Sequence, residues 1–196
     1  MKKPVYGVGF NDKTRPSSVD GKKVKEYVLW QSMLKRCFSE KLQTRYPTYK
    51  GCNVSDNFLH YSFFYDWCQE QVGFGKVDDK GRSWCLDKDL LIIDNKTYSE
   101  TACVFVPNEI NSFFTDSGAK RGEYPLGVYF NKRDGKFTAQ CNVNGKRQHL
   151  GYFNTPQEAF TVYKPFKEDL CKQLALKWQS EIDERLFNAM MKWSIK

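Results

Sequence analysis

Arg133, Arg147, Asn131, Gln140, Asn142, Tyr129 and His149 fall at alternate positions of three short segments, near residues 127–131, 137–143 and 147–153. Alternate residues of a β-strand share a face. A sheet built from these segments therefore gathers guanidinium, amide, phenol and imidazole groups on one side. Such groups can hydrogen-bond base edges, Arg pairing with guanine and Asn or Gln with adenine. Lys132, Lys136 and Lys146 lie near the turns, where they are placed for phosphate contacts and a salt-dependent affinity. Val128, Phe130, Phe137, Ala139, Cys141, Val143 and Leu150 occupy the opposite face. A merely solvated sheet face shows the same alternation, so the pattern by itself leaves both readings open.

The charge distribution sharpens the question. The 196 residues carry 31 Lys and Arg against 23 Asp and Glu, a net +8. Residues 126–153 hold Lys132, Arg133, Lys136, Lys146 and Arg147 against Asp134 alone, so half of the net charge sits in one seventh of the chain. This balance is permissive for a polyanionic partner and argues against a mimic of DNA. Apolar residues at 40% and aromatics at 16% exclude a disordered chain. No apolar run approaches the ~18 residues of a membrane helix, and the opening Met1-Lys2-Lys3-Pro4 lacks the apolar stretch of a secretory signal. The expected partners thus exclude a membrane, and the expected location is the cytoplasm, a host cell's if the chain is phage-encoded.

Metal and thiol chemistry is constrained by counting. Seven widely spaced cysteines contain no C-x-x-C pair, which argues against a zinc ribbon or finger. They read as small buried apolar residues rather than a disulfide framework. His60 and His149 are the only imidazoles. A His-rich metal site within one chain is excluded.

Several elements must position these groups. Residues 1–24 are rich in turn formers, with Tyr6–Asn11 as a short strand. Trp30, Met33, Leu34, Cys37 and Phe38 mark one face of a helix that starts at Lys25 and is broken at Tyr46–Gly51. Asn57 is the expected cap of an aromatic core helix carrying Phe58, Leu59, Tyr61, Phe63, Phe64 and Trp67. Strands follow at Leu86–Ile93 and Cys103–Val106, then a helix with Pro107 at its first position and Ile110, Phe113 and Phe114 on one face. Thr115–Pro125 is the best linker candidate. Asn144-Gly145 is a hairpin signal. Thr155, Pro156 and Glu158 form a capping box for a helix through Trp178, within which Pro165 predicts a kink. Ser180 with Asp183 is the expected cap of a last helix.

The run Gly127-Val128-Tyr129, Gly135-Lys136-Phe137-Thr138-Ala139-Gln140, Gly145-Lys146 and Leu150-Gly151-Tyr152-Phe153-Asn154-Thr155-Pro156-Gln157-Glu158-Ala159-Phe160 resembles the three-strand-plus-helix DNA-binding domain of the ethylene-response-factor (APETALA) class. It is especially similar to the version in phage endonuclease-like proteins. The resemblance covers about residues 126–165 and implies a sheet face that reads the major groove. The positions it implies are Tyr129, Asn131, Arg133, Gln140, Asn142, Arg147, His149 and Tyr152. Plant members carry more Arg and Trp there.

Trp30-x-x-Met33-x-x-Arg36-Cys37, Tyr49-x-Gly51, Phe63-x-x-x-Trp67, Leu86-Asp87-Lys88-Asp89, Tyr98-Ser99 and Cys103-Val104-Phe105-Val106-Pro107 with Asn111 resemble phage HNH-type homing-endonuclease relatives over about residues 25–114. An active unit of that type uses a strand-borne His as general base, an Asn to orient it, and a helix-borne His or Asn on a divalent metal. Here Lys88 falls at the base position, Ala102 at the central Asn position and Asn111 at the helix position. Lys is a poor base near neutral pH. The resemblance leaves Asp87, Lys88 and Asn111 as the candidate catalytic group, with Asp87 and Asn111 as a candidate Mg²⁺ pair. His60 is a less favoured base.

The expected fold class is α+β. An HNH-like, ββα-containing domain spans residues 1–118, and a three-stranded antiparallel sheet packed on a helix, with C-terminal helices, spans 119–196. The preferred reading is a double-stranded-DNA-binding protein of phage type whose HNH-like scaffold does not cleave efficiently. Two alternatives belong to other classes. One is a Mg²⁺-dependent DNA endonuclease or nickase. The other is an inhibitor or adaptor that binds a host nucleic-acid enzyme or defence complex.

Overall fold

A computed structural model describes residues 3–115, 123–143 and 145–195. The chain is mixed α+β and divides into two units. The first runs up to Asn111 and adds Ser180–Leu186; the second comprises Ser112–Gln179 and the residues from Phe187 onward. The expected boundary at 118/119 and most of the expected linker lie outside the described residues. Among the described residues no helix is long and apolar enough to cross a membrane.

The first unit is built on an aromatic core. Strands β1 (Ser18–Val19) and β2 (Lys22–Lys23) form a small hairpin ahead of α1 (Lys25–Phe38). Helix α1 buries Trp30, Met33, Leu34 and Cys37 at the predicted spacing. The Trp30 Nε1–H donates to the Phe58 carbonyl at 2.8 Å, so the indole is satisfied inside the core. Helix α2 (Glu40–Arg45) and a 3₁₀ turn (Pro47–Tyr49) follow.

The next segment differs from the sequence reading. Ser55, not Asn57, caps a one-turn helix α3 (Asp56–Leu59), its Oγ accepting from the Phe58 N–H. Asn57 instead donates its amide to Glu100. His60 interrupts the helix and Tyr61–Glu70 continues as α4. The interruption lets the Phe10 N–H donate to the Leu59 carbonyl and the Tyr61 N–H donate to the Phe10 carbonyl. Residues 6–11 are therefore held by single bridges rather than as a strand. Phe58, Tyr61, Phe64 and Trp67 are buried, as the aromatic density predicts.

Strand β3 (Asn53–Val54) pairs in parallel with β5 (Thr97–Tyr98), and β4 (Cys85–Asp87) pairs antiparallel with β6 (Val104–Val106). The expected strand to Ile93 stops at Asp87. Its Oδ1 accepts from the N–H groups of both Asp89 and Leu90, which turns the chain out of the strand. Helix α5 (Asn108–Phe114) follows Pro107, giving a strand, strand, helix order.

The second unit carries the three-stranded antiparallel sheet β7 (Val128–Asn131), β8 (Lys136–Val143) and β9 (Lys146–Phe153), in that spatial order. Helix α6 (Pro156–Trp178) packs on one side of it. The Thr155 Oγ1 accepts from the Glu158 N–H, and Glu158 accepts from the Asn154 N–H. The predicted cap is present, shifted by one donor. Helix α6 runs through Pro165 without a break. The last helix, α7 (Glu184–Met191), begins after Asp183, whose carboxylate accepts from the Arg185 N–H; Ser180 does not cap it.

Val128, Ala139, Cys141, Ala159, Tyr163 and Ile195 form the core of this unit, with Phe137, Leu150, Phe153, Phe160 and Phe166 packed around them. Gly127 has φ +75°, and a Cβ there would collide with the Tyr163 ring, so the sheet and helix approach at a place only glycine tolerates. All seven cysteines are free thiols, and only Cys85 is not fully buried.

Candidate nucleic-acid interface

The outer face of the β7–β8–β9 sheet is set by its register. Tyr129 stands opposite Thr138 and Thr138 opposite Tyr152; Gln140 stands opposite His149, and Asn142 opposite Arg147. Strict alternation along β9 would put Tyr152 on the face away from Arg147 and His149. It does not, because Ala139 pairs with Gly151 while Gln140 pairs with His149. Leu150 is thus an extra residue, a β-bulge, and it packs into the core. Gly151 follows at φ +142°, where a side chain is strained. The bulge brings the His149 and Tyr152 rings onto one face with centroids 4.5 Å apart.

The face is polar, aromatic and cationic at both ends. Lys132, Arg133 and Lys136 lie at the β7–β8 end, and Lys146 and Arg147 at the β8–β9 end, all exposed. An eight-residue strand places those ends roughly 24 Å apart, and three strands span roughly 10 Å. That width fits a major groove of about 12 Å.

The candidate residues are not equivalent. Arg133 lies beyond β7, in the turn rather than on the strand face, because the chain bends to pair it with Asp134: Nε reaches Oδ1 at 2.9 Å. Asn131 is also committed to that turn. Its amide donates to Asp134 at 2.7 Å and its oxygen accepts from the Arg133 N–H at 3.1 Å. Gln140 accepts from the Tyr129 hydroxyl at 3.2 Å. Among the described residues, no hydrogen bond or ion pair engages the side chains of Asn142 or Arg147, and both are exposed.

Thr138 sits between Tyr129 and Tyr152 on this face, yet it is 0% exposed and its hydroxyl has no partner among the described residues. Nothing in the sequence marks it. The alternation that identifies the outer face gives no hint that two flanking tyrosines would seal it.

The carboxylate and lysine group lies in the first unit. Lys88 is 7% exposed. Its ammonium donates to Asp89 Oδ2 at 2.8 Å and to the Asn95 carbonyl at 3.2 Å, and it stands 5.7 Å from the Tyr98 ring centre. Burial works against this charge, but the bond to Asp89 and the surrounding negative charge outweigh it and raise the Lys88 pKa. A lysine held this way stays protonated and cannot take a proton from water. Burial first, and the neighbouring Asp89 second, push Asp87 up to about 6.

Ala102 is buried and brings no polar side-chain atom. The amide that organises this loop is Asn95, which donates to the Lys88 and Thr97 carbonyls and accepts from the Thr97 N–H. By residue type Asp94-Asn95-Lys96 reads simply as a turn. Asn111 is half-buried on α5. His60 is exposed, with its ring against Phe10.

A Mg²⁺ at the position the sequence suggests would be held by Asp87 and Asn111. One Asp87 oxygen is bound by two backbone N–H groups, and Asp89 is engaged by the Lys88 ammonium, which already supplies positive charge there. Among the described residues, no group of three or more His, Cys, Asp or Glu side chains is placed to hold a metal ion.

Comparison of the chain with protein-family models, curated proteins and solved structures finds no match.

Two substitutions test these environments. In the folded protein Asp87 takes up a proton near pH 6 that the unfolded chain takes up only near the ordinary 3.8. This group therefore favours folding increasingly as pH falls from 6 toward 4, and opposes it at higher pH. Asp87→Asn keeps an oxygen for both N–H groups. It should raise stability at pH 7.5 by on the order of 1 kcal/mol and flatten the profile between pH 4 and 6, as read from urea midpoints; an unchanged profile contradicts the assigned environment. Thr138→Val removes an unpartnered buried hydroxyl and should gain about 1 kcal/mol in the same assay. A loss there would reveal a bound water serving the hydroxyl.

Proposed function

We propose that this chain binds double-stranded DNA through the outer face of the β7–β8–β9 sheet. The observation that carries this reading is the Asn142–Arg147 cross-strand pair. An amide and a guanidinium stand side by side, exposed and, among the described residues, uncommitted, on a sheet whose other face is packed against α6. In a major groove the Arg147 fork matches guanine O6 and N7, and the Asn142 amide matches adenine N6 and N7. His149, Gln140, Tyr129 and Tyr152 supply further polar and aromatic contact along the same face. Lys132, Lys136 and Lys146 reach phosphates beyond the two ends. Arg133, spread in the turn, joins them as a phosphate contact rather than a base reader.

The β4, β6 and α5 unit is read as an HNH-like scaffold that does not cleave. This rests on Lys88, whose ammonium is locked in its charged form where a general base is required, and on carboxylates already engaged by backbone and lysine.

Arg147→Ala with Asn142→Ala should weaken duplex binding by about 2–4 kcal/mol and relax base preference, measured by fluorescence anisotropy against a panel of duplexes. Undiminished affinity and unchanged preference would remove the sheet face from the argument. Supercoiled plasmid incubated with the protein and Mg²⁺ or Mn²⁺ should stay intact. Nicking that Asp87→Ala abolishes would instead establish the nuclease alternative.

A further inference from the structure

A second concentration of positive charge lies in the first unit, on elements that no candidate site includes. Lys35, Arg36, Lys41, Arg45 and Lys50 face a single acid, Glu40, across residues 35–50, a net +4 in 16 residues. That density exceeds the sheet's. The fold gathers the charges rather than dispersing them. Lys41 and Arg45 are four apart on α2 and share one side of the helix. The 3₁₀ turn Pro47–Tyr49 follows directly and leads to Lys50. Lys96, remote in sequence, is brought alongside by the β3–β5 pairing, and its Nζ donates to the Thr48 carbonyl at 3.4 Å.

The scaffold under these cations is fixed. Gln43 donates to the carbonyls of Arg36 at 3.1 Å and Cys37 at 2.7 Å, tying α2 to the end of α1. Arg36 is drawn inward, its guanidinium 5.6 Å from the Tyr49 ring centre and donating to the Tyr98 hydroxyl at 3.3 Å. Among the described residues no ion pair engages Lys35, Lys41, Arg45 or Lys50, whereas Lys88, Arg82, Arg133 and Arg185 are each paired with an aspartate. The Arg45 guanidinium lies 5.4 Å from the ring centre of Tyr46, an exposed tyrosine.

We infer that Lys41, Arg45 and Lys50, around the exposed Tyr46, form a second nucleic-acid-binding surface that takes the phosphodiester backbone. Exposed cations on a tied-down backbone, unpaired among the described residues and beside an aromatic ring, suit a run of phosphates beside bases or sugars. An anionic membrane fits less well. Helix α2 offers only Leu42 as an apolar side chain and that is half-buried, so nothing is presented for insertion between lipids. The inference does not depend on the sheet reading, since its residues belong to the other unit.

The test is a salt titration of binding by the full chain to a labelled duplex and to a single strand of the same length. Lys41→Gln, Arg45→Gln and Lys50→Gln together should weaken binding roughly tenfold and reduce the slope of log K against log salt by about 2–3. The charge-preserving set Lys41→Arg, Arg45→Lys and Lys50→Arg should keep the slope. All six changes are on exposed positions, and circular dichroism melts verify folding. Loss on either probe supports the surface and identifies whether duplex or single strand supplies the phosphates. An unchanged slope on both overturns it, as does a loss seen only with phosphatidylserine vesicles. Asn142→Ala with Arg147→Ala serves as the parallel arm. A loss in that variant alone leaves the sheet reading standing and removes this surface; a loss in the Gln variant alone does the reverse.

Discussion

One inserted residue decides what the sheet presents. Leu150 enters β9 without a partner on β8, and from that point the in-and-out order of the strand reverses. Upstream of it the odd-numbered Arg147 and His149 face outward; downstream the even-numbered Tyr152 does. The same step puts Phe153 into the core against α6, beside Leu150. Without it, Tyr152 would be carried into the apolar layer while Phe153 faced solvent, an exchange that costs burial on one side and strands a hydroxyl on the other. The bulge thus aligns the aromatic end of the outer face with its amide and guanidinium end.

The backing layer explains why that face is rigid enough to matter. Tyr163 of α6 lies where a side chain at Gly127 would be, so helix and sheet meet at backbone distance. The thiols of Cys141 and Cys171 fill the same unit as small apolar groups, and burial raises the pKa of both, up to about 12 for Cys171. Their inertness follows from packing. The sheet's polar side chains then project from a surface that packing holds in place.

The fate of each cation separates structural from available charge. Lys88 is buried and spends its donors on Asp89 and Asn95, closing the loop that the Asp87 turn begins. A lysine in that setting is a fixed positive charge that braces the loop between β4 and β5. Arg133 is exposed but holds Asp134. Among the described residues no ion pair makes such a claim on Arg147, Lys41, Arg45 or Lys50, and the two proposed surfaces are built from that class.

Much of this was legible in the sequence because it is local. The spacing of Trp30, Met33, Leu34 and Cys37 dictates the buried stripe of α1. Thr155, Pro156 and Glu158 dictate where α6 begins, and the three strands of the C-terminal sheet appear within one residue of their predicted limits. Period and capping are properties of neighbouring residues, so no tertiary information is needed. Other features were decided by atoms distant in the chain. The His60 break answers to Phe10, the sealed Thr138 to tyrosines on two other strands, and the basic cluster of α2 to Lys96 delivered by a parallel pairing. Residue type and spacing determine which groups can sit together on a face. Only closure of the fold, through long-range pairing and one bulge, decides which of them do, because a side chain's partners are chosen by packing in space and not by order along the chain.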